Sequence, residues 1–146
     1  MFQNILIICI GNICRSPMAE AILSARLATM PDVRVTSAGI AAMVNASPEP
    51  MAQELMQERG FDISAHRARQ VTRPLLSAAD LILTMETRHQ KQIEYNLPSI
   101  CGKVHRLGKW SVFDIPDPYK KPKAAFVQAL MLIEQGIDDW QRKLWN

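Results

Sequence analysis

Short, strongly apolar runs alternate along the chain with longer segments whose apolar residues recur every three or four positions. Ile5 to Ile10 is almost continuously apolar and β-branched, the pattern of a strand buried on both faces. After a loop, Gly11 to Arg15, the pair Ser16-Pro17 predicts an N-cap with proline at the first helical position. Ala19, Ile22, Leu23, Leu27 and Met30 then share one helical face, and Pro31 ends that helix. Val33 to Ser37 alternates ahead of Gly39 and predicts a second strand. Pro48 to Arg59 predicts a helix stopped at Gly60. Asp80 to Thr84 predicts a third strand, Glu86 to Tyr95 a helix, and Lys103 to Leu107 a short fourth strand. A Pro- and Asp-rich loop from Trp110 to Pro122 leads into a last helix, where Phe126, Leu130, Ile133, Ile137, Trp140 and Leu144 form one apolar stripe. Strands alternating with helices imply βαβ units, and so an α/β three-layer sandwich with four parallel strands and helices on both faces.

Composition narrows the classes. The 146 residues predict one domain, 1–146, and 48% apolar with 21% charged residues suits a globular core. The net charge of +3 comes from scattered Lys and Arg, so no nucleic-acid partner is expected. One compact basic stretch, Lys120, Lys121 and Lys123, suits a solvated loop or attracts an acidic partner. No segment has the length of a bilayer span, and the N-terminus lacks a basic n-region and a cleavage site, so neither membrane insertion nor secretion is expected. Three cysteines, Cys9, Cys14 and Cys101, make an odd count without a disulfide framework, which suits a reducing, cytoplasmic location. No CxxC or clustered His/Cys pattern predicts a metal. Cys101 reads as structural, and the methionines as core filler.

The chemistry concentrates in Cys9-Ile10-Gly11-Asn12-Ile13-Cys14-Arg15-Ser16-Pro17, between the first strand and the first helix. In open α/β folds ligands bind at the carboxyl ends of strands. A helix N-terminus there presents free N–H groups and the positive end of its dipole. A loop with Gly11 free to curl can aim successive N–H groups at one anion. Arg15 adds a planar fork for two phosphate oxygens. Cys9 at the floor of such a positive cup is expected to ionise readily and to be a nucleophile already in place. Taken alone, Cys9 at a strand end reads as a packed core cysteine; the whole string turns the reading to the nucleophile. A GxxxxGK[ST] nucleotide loop is excluded, because the Lys and the second Gly are missing.

This string resembles the Cys-x4-Cys-Arg-[Ser/Thr] signature of the low-molecular-weight protein tyrosine phosphatases. The resemblance extends over size, element order, the Asp-Pro-Tyr segment and the last helix, and points to bacterial members associated with capsule or exopolysaccharide export. It implies a sheet of order 2-1-3-4, no metal or other cofactor, and a catalytic set of Cys9, Arg15 and Asp117. The phosphoryl group would lie against Ile10, Gly11, Asn12, Ile13, Cys14 and Ser16. A phenolate leaves poorly unless protonated, since a Tyr hydroxyl has a pKa of about 10. Ile115-Pro116-Asp117-Pro118-Tyr119 supplies the acid on a backbone stiffened by prolines; Asp114 is a weaker rival without those flanks.

The resemblance also gives Asn12, Ser37 and His66 bracing roles around the loop, and Ser16 a hydrogen bond to the Cys9 sulfur. Ile13, Ile40 and Tyr119 suit walls for a phosphoaryl ring, with core packing an equal reading for Ile40. Cys14 is near enough in sequence for a reversible disulfide with Cys9, or simply packs. The partner implied is a phosphotyrosine protein, an autophosphorylated bacterial tyrosine kinase. Three rivals share features of the loop. An arsenate reductase needs relay cysteines that 83–91 lacks. A protein-arginine phosphatase carries Thr where this chain has Ile13. A non-catalytic phosphate-binding module has no use for both Cys9 and Asp117.

Overall fold

The computed structural model describes residues 2–145. Strand β1 (Asn4–Cys9) lies at the centre of a parallel sheet, between β2 (Arg34–Gly39) and β3 (Leu81–Thr84), with β4 (Val104–Arg106) outside β3. The order is 2-1-3-4, as the resemblance implied. Side chains of a strand alternate between faces, and β1 is buried on both. Ile5, Ile7 and Cys9 enter one core with α1 (Arg15–Arg26), α2 (Pro50–Glu58) and α5 (Lys123–Leu144). Leu6 and Ile8 enter a second core with α3 (Arg73–Ala78) and α4 (Thr87–Asn96). The register therefore delivers Cys9 to the end of β1 on the α1 side.

Three local expectations are corrected. Helix α1 begins two residues early, at Arg15, with Cys14 in the N-cap position and no side-chain cap. Ser16 is not the cap, because its hydroxyl is engaged by Cys9 and Asn12. Leu144 ends the α5 stripe 39% exposed, past the last buried residue of the helix, Trp140. Cys101 is not buried: it sits exposed on a 3-10 turn, Pro98–Lys103, and donates its thiol to Glu94. Helix α3 carries a cue, Thr72 accepting from the Leu75 N–H with Pro74 in the first turn, but it has only 6 residues and no full apolar period.

Candidate active site

The Ala41, Met43 and Glu49 N–H groups anchor the loop between β1 and α1 through the Ile10, Gly11 and Ile13 carbonyls, and Asn12 ties it from within. Asn12 is fully buried and has a left-handed backbone, φ 59°, a conformation that Asn tolerates better than most residues. Gly11 is not the left-handed residue of the loop, so the freedom expected of it lies at Asn12. The Asn12 Nδ2 donates to Ser16 Oγ at 2.8 Å and to Ser37 Oγ at 3.0 Å. Its Oδ1 accepts from the Arg69 N–H at 2.9 Å, and its carbonyl lies 2.9 Å from His66 Nε2, which donates to it. Ser37 passes its own proton to Glu20 at 2.6 Å and receives Arg69 Nε on its carbonyl.

The Asn12 amide nitrogen can only donate, so Ser16 Oγ accepts from it. Oγ lies 2.9 Å from Cys9 Sγ, and with the sulfur ionised the Ser16 hydroxyl is the donor of that contact. The Asn12 N–H also donates to that sulfur, at 3.3 Å. Two donors thus meet on Sγ, an arrangement suited to a sulfur anion. Among the described residues the backbone N–H groups of Gly11, Ile13, Cys14, Arg15 and Ser16 donate to no protein acceptor. They are the free donors of a loop running into a helix N-terminus.

Arg15 stands opposite, its side chain 1% exposed. Nη1 donates to Glu86 at 2.6 Å and to the Ile115 carbonyl at 2.7 Å. Nη2 lies 3.6 Å from Asp117 Oδ2. Burial raises the Glu86 carboxyl, but hydrogen bonds from Arg15 and Arg88, with the charge of Arg15, outweigh it and hold Glu86 below the ordinary carboxylate value. Asp117 stands in a tight turn: its Oδ1 accepts from the Tyr119 N–H, and the Lys121 N–H returns to the Pro118 carbonyl. Asp114 does not reach the cup. Its carboxylate accepts from the Thr87 N–H and hydroxyl and from Arg106, pinning the loop to α4.

Together these elements enclose a pocket of about 570 Å³, including its open mouth. It is lined by Cys9, Ile10, Gly11, Ile13, Cys14 and Arg15 of the loop, by Asp117 and Tyr119, and by Ala41 and Met43 after β2. Asn12 and Ser16 lie beneath the lining, and Ser37 and His66 behind them. Ile40 does not line it. Its N–H bonds the Cys9 carbonyl and its side chain packs on the second core, so the wall belongs to the next residues. Met43 is 44% exposed and no core filler. Cys14 is a buried, protonated thiol, pushed up to about 12 first by burial and then by the charges of Cys9, Asp117 and Glu49. Glu20, Arg69, Glu86, Ala41 and Met43 were not anticipated. Glu86 is 71 residues from Arg15 in sequence, and only the fold brings them together.

Residues 4–146 match the family described as low molecular weight phosphotyrosine protein phosphatase. The chain belongs to that family. The phosphatase is 49% identical over 140 residues to the probable low molecular weight protein-tyrosine-phosphatase EpsP of Ralstonia nicotianae, covering 96% of this chain and 94% of the relative. Its fold superimposes on Wzb of Vibrio vulnificus, solved in complex with benzylphosphonate, with a TM-score of 0.92 at 40% identity, covering 99% of this chain and 100% of that one. It also resembles the YwlE arginine phosphatase of Geobacillus stearothermophilus, with a TM-score of 0.89 at 31% identity, covering 97% and 92%. No helix of the phosphatase, among the described residues, is long and apolar enough to cross a membrane.

Proposed function

We propose that the phosphatase hydrolyses phosphotyrosine in proteins through a phosphocysteine intermediate. The observation that carries this is the Cys9 sulfur accepting from both Ser16 and Asn12 at a pocket that Arg15 and Asp117 share. In the first step the Cys9 thiolate attacks phosphorus in line. The P–O bond to the phenol breaks as the S–P bond forms, and Asp117 gives its proton to the leaving oxygen. In the second step Asp117 takes a proton from water, the water oxygen bonds phosphorus, and the electron pair of the S–P bond returns to sulfur. Arg15 and the free loop N–H groups hold the equatorial oxygens throughout. The Ser16 hydroxyl eases both steps by hydrogen bonding sulfur whenever it carries charge.

The walls argue for an aromatic substrate. Ile13, Ala41 and Met43 offer apolar surface and Tyr119 a ring, which suits a phosphoaryl group and leaves the N–H groups of a phosphoguanidinium without partners. Each unpaired buried donor costs ~1–3 kcal/mol, about tenfold or more in discrimination. The partner is read as an autophosphorylated bacterial tyrosine kinase of polysaccharide export, met in the cytoplasm. The test measures kcat/KM for phosphotyrosine, phosphoarginine and phosphoserine peptides, and traps partners from native lysate with Asp117→Ala. A clear preference for phosphotyrosine is expected, with Cys9→Ser inactive but still binding vanadate. A wild-type preference for phosphoarginine overturns the tyrosine assignment, and residual turnover in Cys9→Ser overturns the covalent route.

A further inference from the structure

Helix α4 buries only two of its side chains, His89 and Ile93, one turn apart on its inner face. Ile93 is what a buried helix position asks for; His89 is not. The His89 side chain is 1% exposed, and neither ring nitrogen has a hydrogen-bond partner among the described residues. A buried polar group left so costs stability that Leu or Met there would not cost. The ring lies beside the carboxylate that holds Arg15: His89 Nε2 is 3.5 Å from Glu86 Oε2, the same oxygen that accepts from Arg15 Nη1 at 2.6 Å. The other Glu86 oxygen accepts from Arg88 at 2.9 Å, whose side chain is 69% exposed and free to leave.

We propose that His89 is a positioning residue for Arg15: as a neutral imidazole it backs Glu86, and it closes on the carboxylate as Arg15 turns toward the phosphoryl group. The inference rests on the phosphatase reading of the site. Charge explains why the ring must be neutral. The charges around it are Arg15 and Arg88, which disfavour a second proton, and Glu86 and Asp114, which favour one; burial first, then the positive charge of Arg15, lowers it to about 4. A neutral ring has one N–H to offer, and Nε2 is the nitrogen that faces Glu86. A cation in its place would compete with Arg15 for the same oxygen and repel the guanidinium. The 3.5 Å separation is that of a contact awaiting load, since hydrogen bonds around a reacting group tighten once the ligand is bound.

The test compares His89→Leu with His89→Gln, whose amide N–H can take the place of Nε2–H, using p-nitrophenyl phosphate turnover, vanadate inhibition and the unfolding midpoint. Wild-type turnover, measured first, decides the phosphatase reading separately. His89→Leu should unfold no earlier than wild type, yet weaken vanadate about tenfold and lower kcat/KM to match; His89→Gln should recover to within threefold. In a Glu86→Gln background, His89→Leu should then have no further effect, because partners in one network are not additive. Full activity in His89→Leu, equal losses in the Leu and Gln variants, or additive losses with Glu86→Gln would each overturn the proposal. If His89→Leu fails to fold, vanadate affinity in His89→Gln decides: within threefold of wild type supports the role, and a tenfold loss overturns it.

Discussion

A methyl group placed at Gly39 should do more damage to catalysis than the same group placed inside the phosphate loop itself. Gly39 ends β2, pairs with Cys9 across the sheet, and has its back to the loop. A Cβ built there would lie 2.4 Å from the Ile10 carbonyl oxygen and 3.1 Å from both the Asn12 Cβ and the Asn12 nitrogen. Ordinary contact begins near ~3.5 Å, so the Ile10 carbonyl would have to retreat by about 1 Å. Neither side can yield cheaply. Gly39 is fixed from behind by bonds to the Arg69 carbonyl and the Val71 N–H, and Ile10 accepts from the Ala41 N–H. Asn12 is tied at five points. A displacement of ~1 Å at a reacting group costs on the order of 10²-fold in rate, and overpacking of this kind costs ~1–3 kcal/mol of stability. Gly11→Ala is the control. Its Cβ would meet only Ile13 Cγ1 at 3.6 Å and Met43 at 3.8 Å, so activity should stay within threefold. The assay is kcat/KM with p-nitrophenyl phosphate beside the thermal unfolding midpoint of both variants. A Gly39→Ala enzyme within threefold of wild type, or a Gly11→Ala enzyme equally impaired, would refute the view that Gly39 sets the position of the loop.

Two further expectations follow from the carboxylates and the buried imidazoles. Asp117→Ala should lose ~10²–10⁴-fold on phosphotyrosine, and far less on aryl phosphates whose leaving groups need no proton; Asp114→Ala should instead lower the unfolding midpoint and leave the leaving-group dependence unchanged, and an even loss across leaving groups for Asp117→Ala would remove it as the acid. Stability should fall with acidification between pH 6.5 and about 4. His89 is lowered from 6.5 to about 4 first by burial and then by Arg15, and His105 is lowered by burial and Lys109. In that window the unfolded chain protonates His89 and the folded chain does not, so His89 removes up to about 1.4 kcal/mol per pH unit, and His105 acts in the same direction. His89→Gln should flatten the curve, and urea midpoints parallel to wild type across the window would contradict it.

What could be read from sequence follows the range of the interactions. Strand β1, the loop and the start of α1 form one contiguous string, and the stripe of α5 is a local period; both were legible because their determinants are neighbours in sequence. The turn at Asp117 was legible for the same reason, since the prolines flank it directly, while its reading as the acid came from the family resemblance. The partners that position the functional groups were not. Glu86 meets Arg15 and the Arg69 N–H meets Asn12 Oδ1 across 71 and 57 residues; Ser37, 25 residues from Asn12, came from the family resemblance and from no local pattern. Met43 lies in a loop with no period to mark it, and reached the pocket wall only because the chain turns sharply after Gly39. The Ser16-Pro17 cue misled by two residues because a hydroxyl that would ordinarily cap the helix is drawn to sulfur instead.

The two halves of the site are held by different physics, and that division bears on how it works. On the sulfur side the contacts are hydroxyls, an amide and backbone, with Glu20 the carboxylate reached directly from Ser37. Such a web keeps its geometry as the charge on sulfur comes and goes through the two steps, because no member of the Asn12–Ser16 pair must gain or lose a proton. Its cost is met at folding, so the donors meet the transition state without reorganising. On the arginine side the contacts are ionic: Arg15 is shared between Glu86 and Asp117. A bound phosphoryl dianion competes for that guanidinium directly. In the proposed mechanism Asp117 can surrender its share, on Nη2, at no loss, since it would carry a proton for the first step. Glu86 holds the other nitrogen, Nη1, together with the Ile115 carbonyl, so its contact need not break. Arrival of the dianion should therefore loosen Asp117 from Arg15 and favour its protonated, acid form, coupling the binding of substrate to the readiness of the acid.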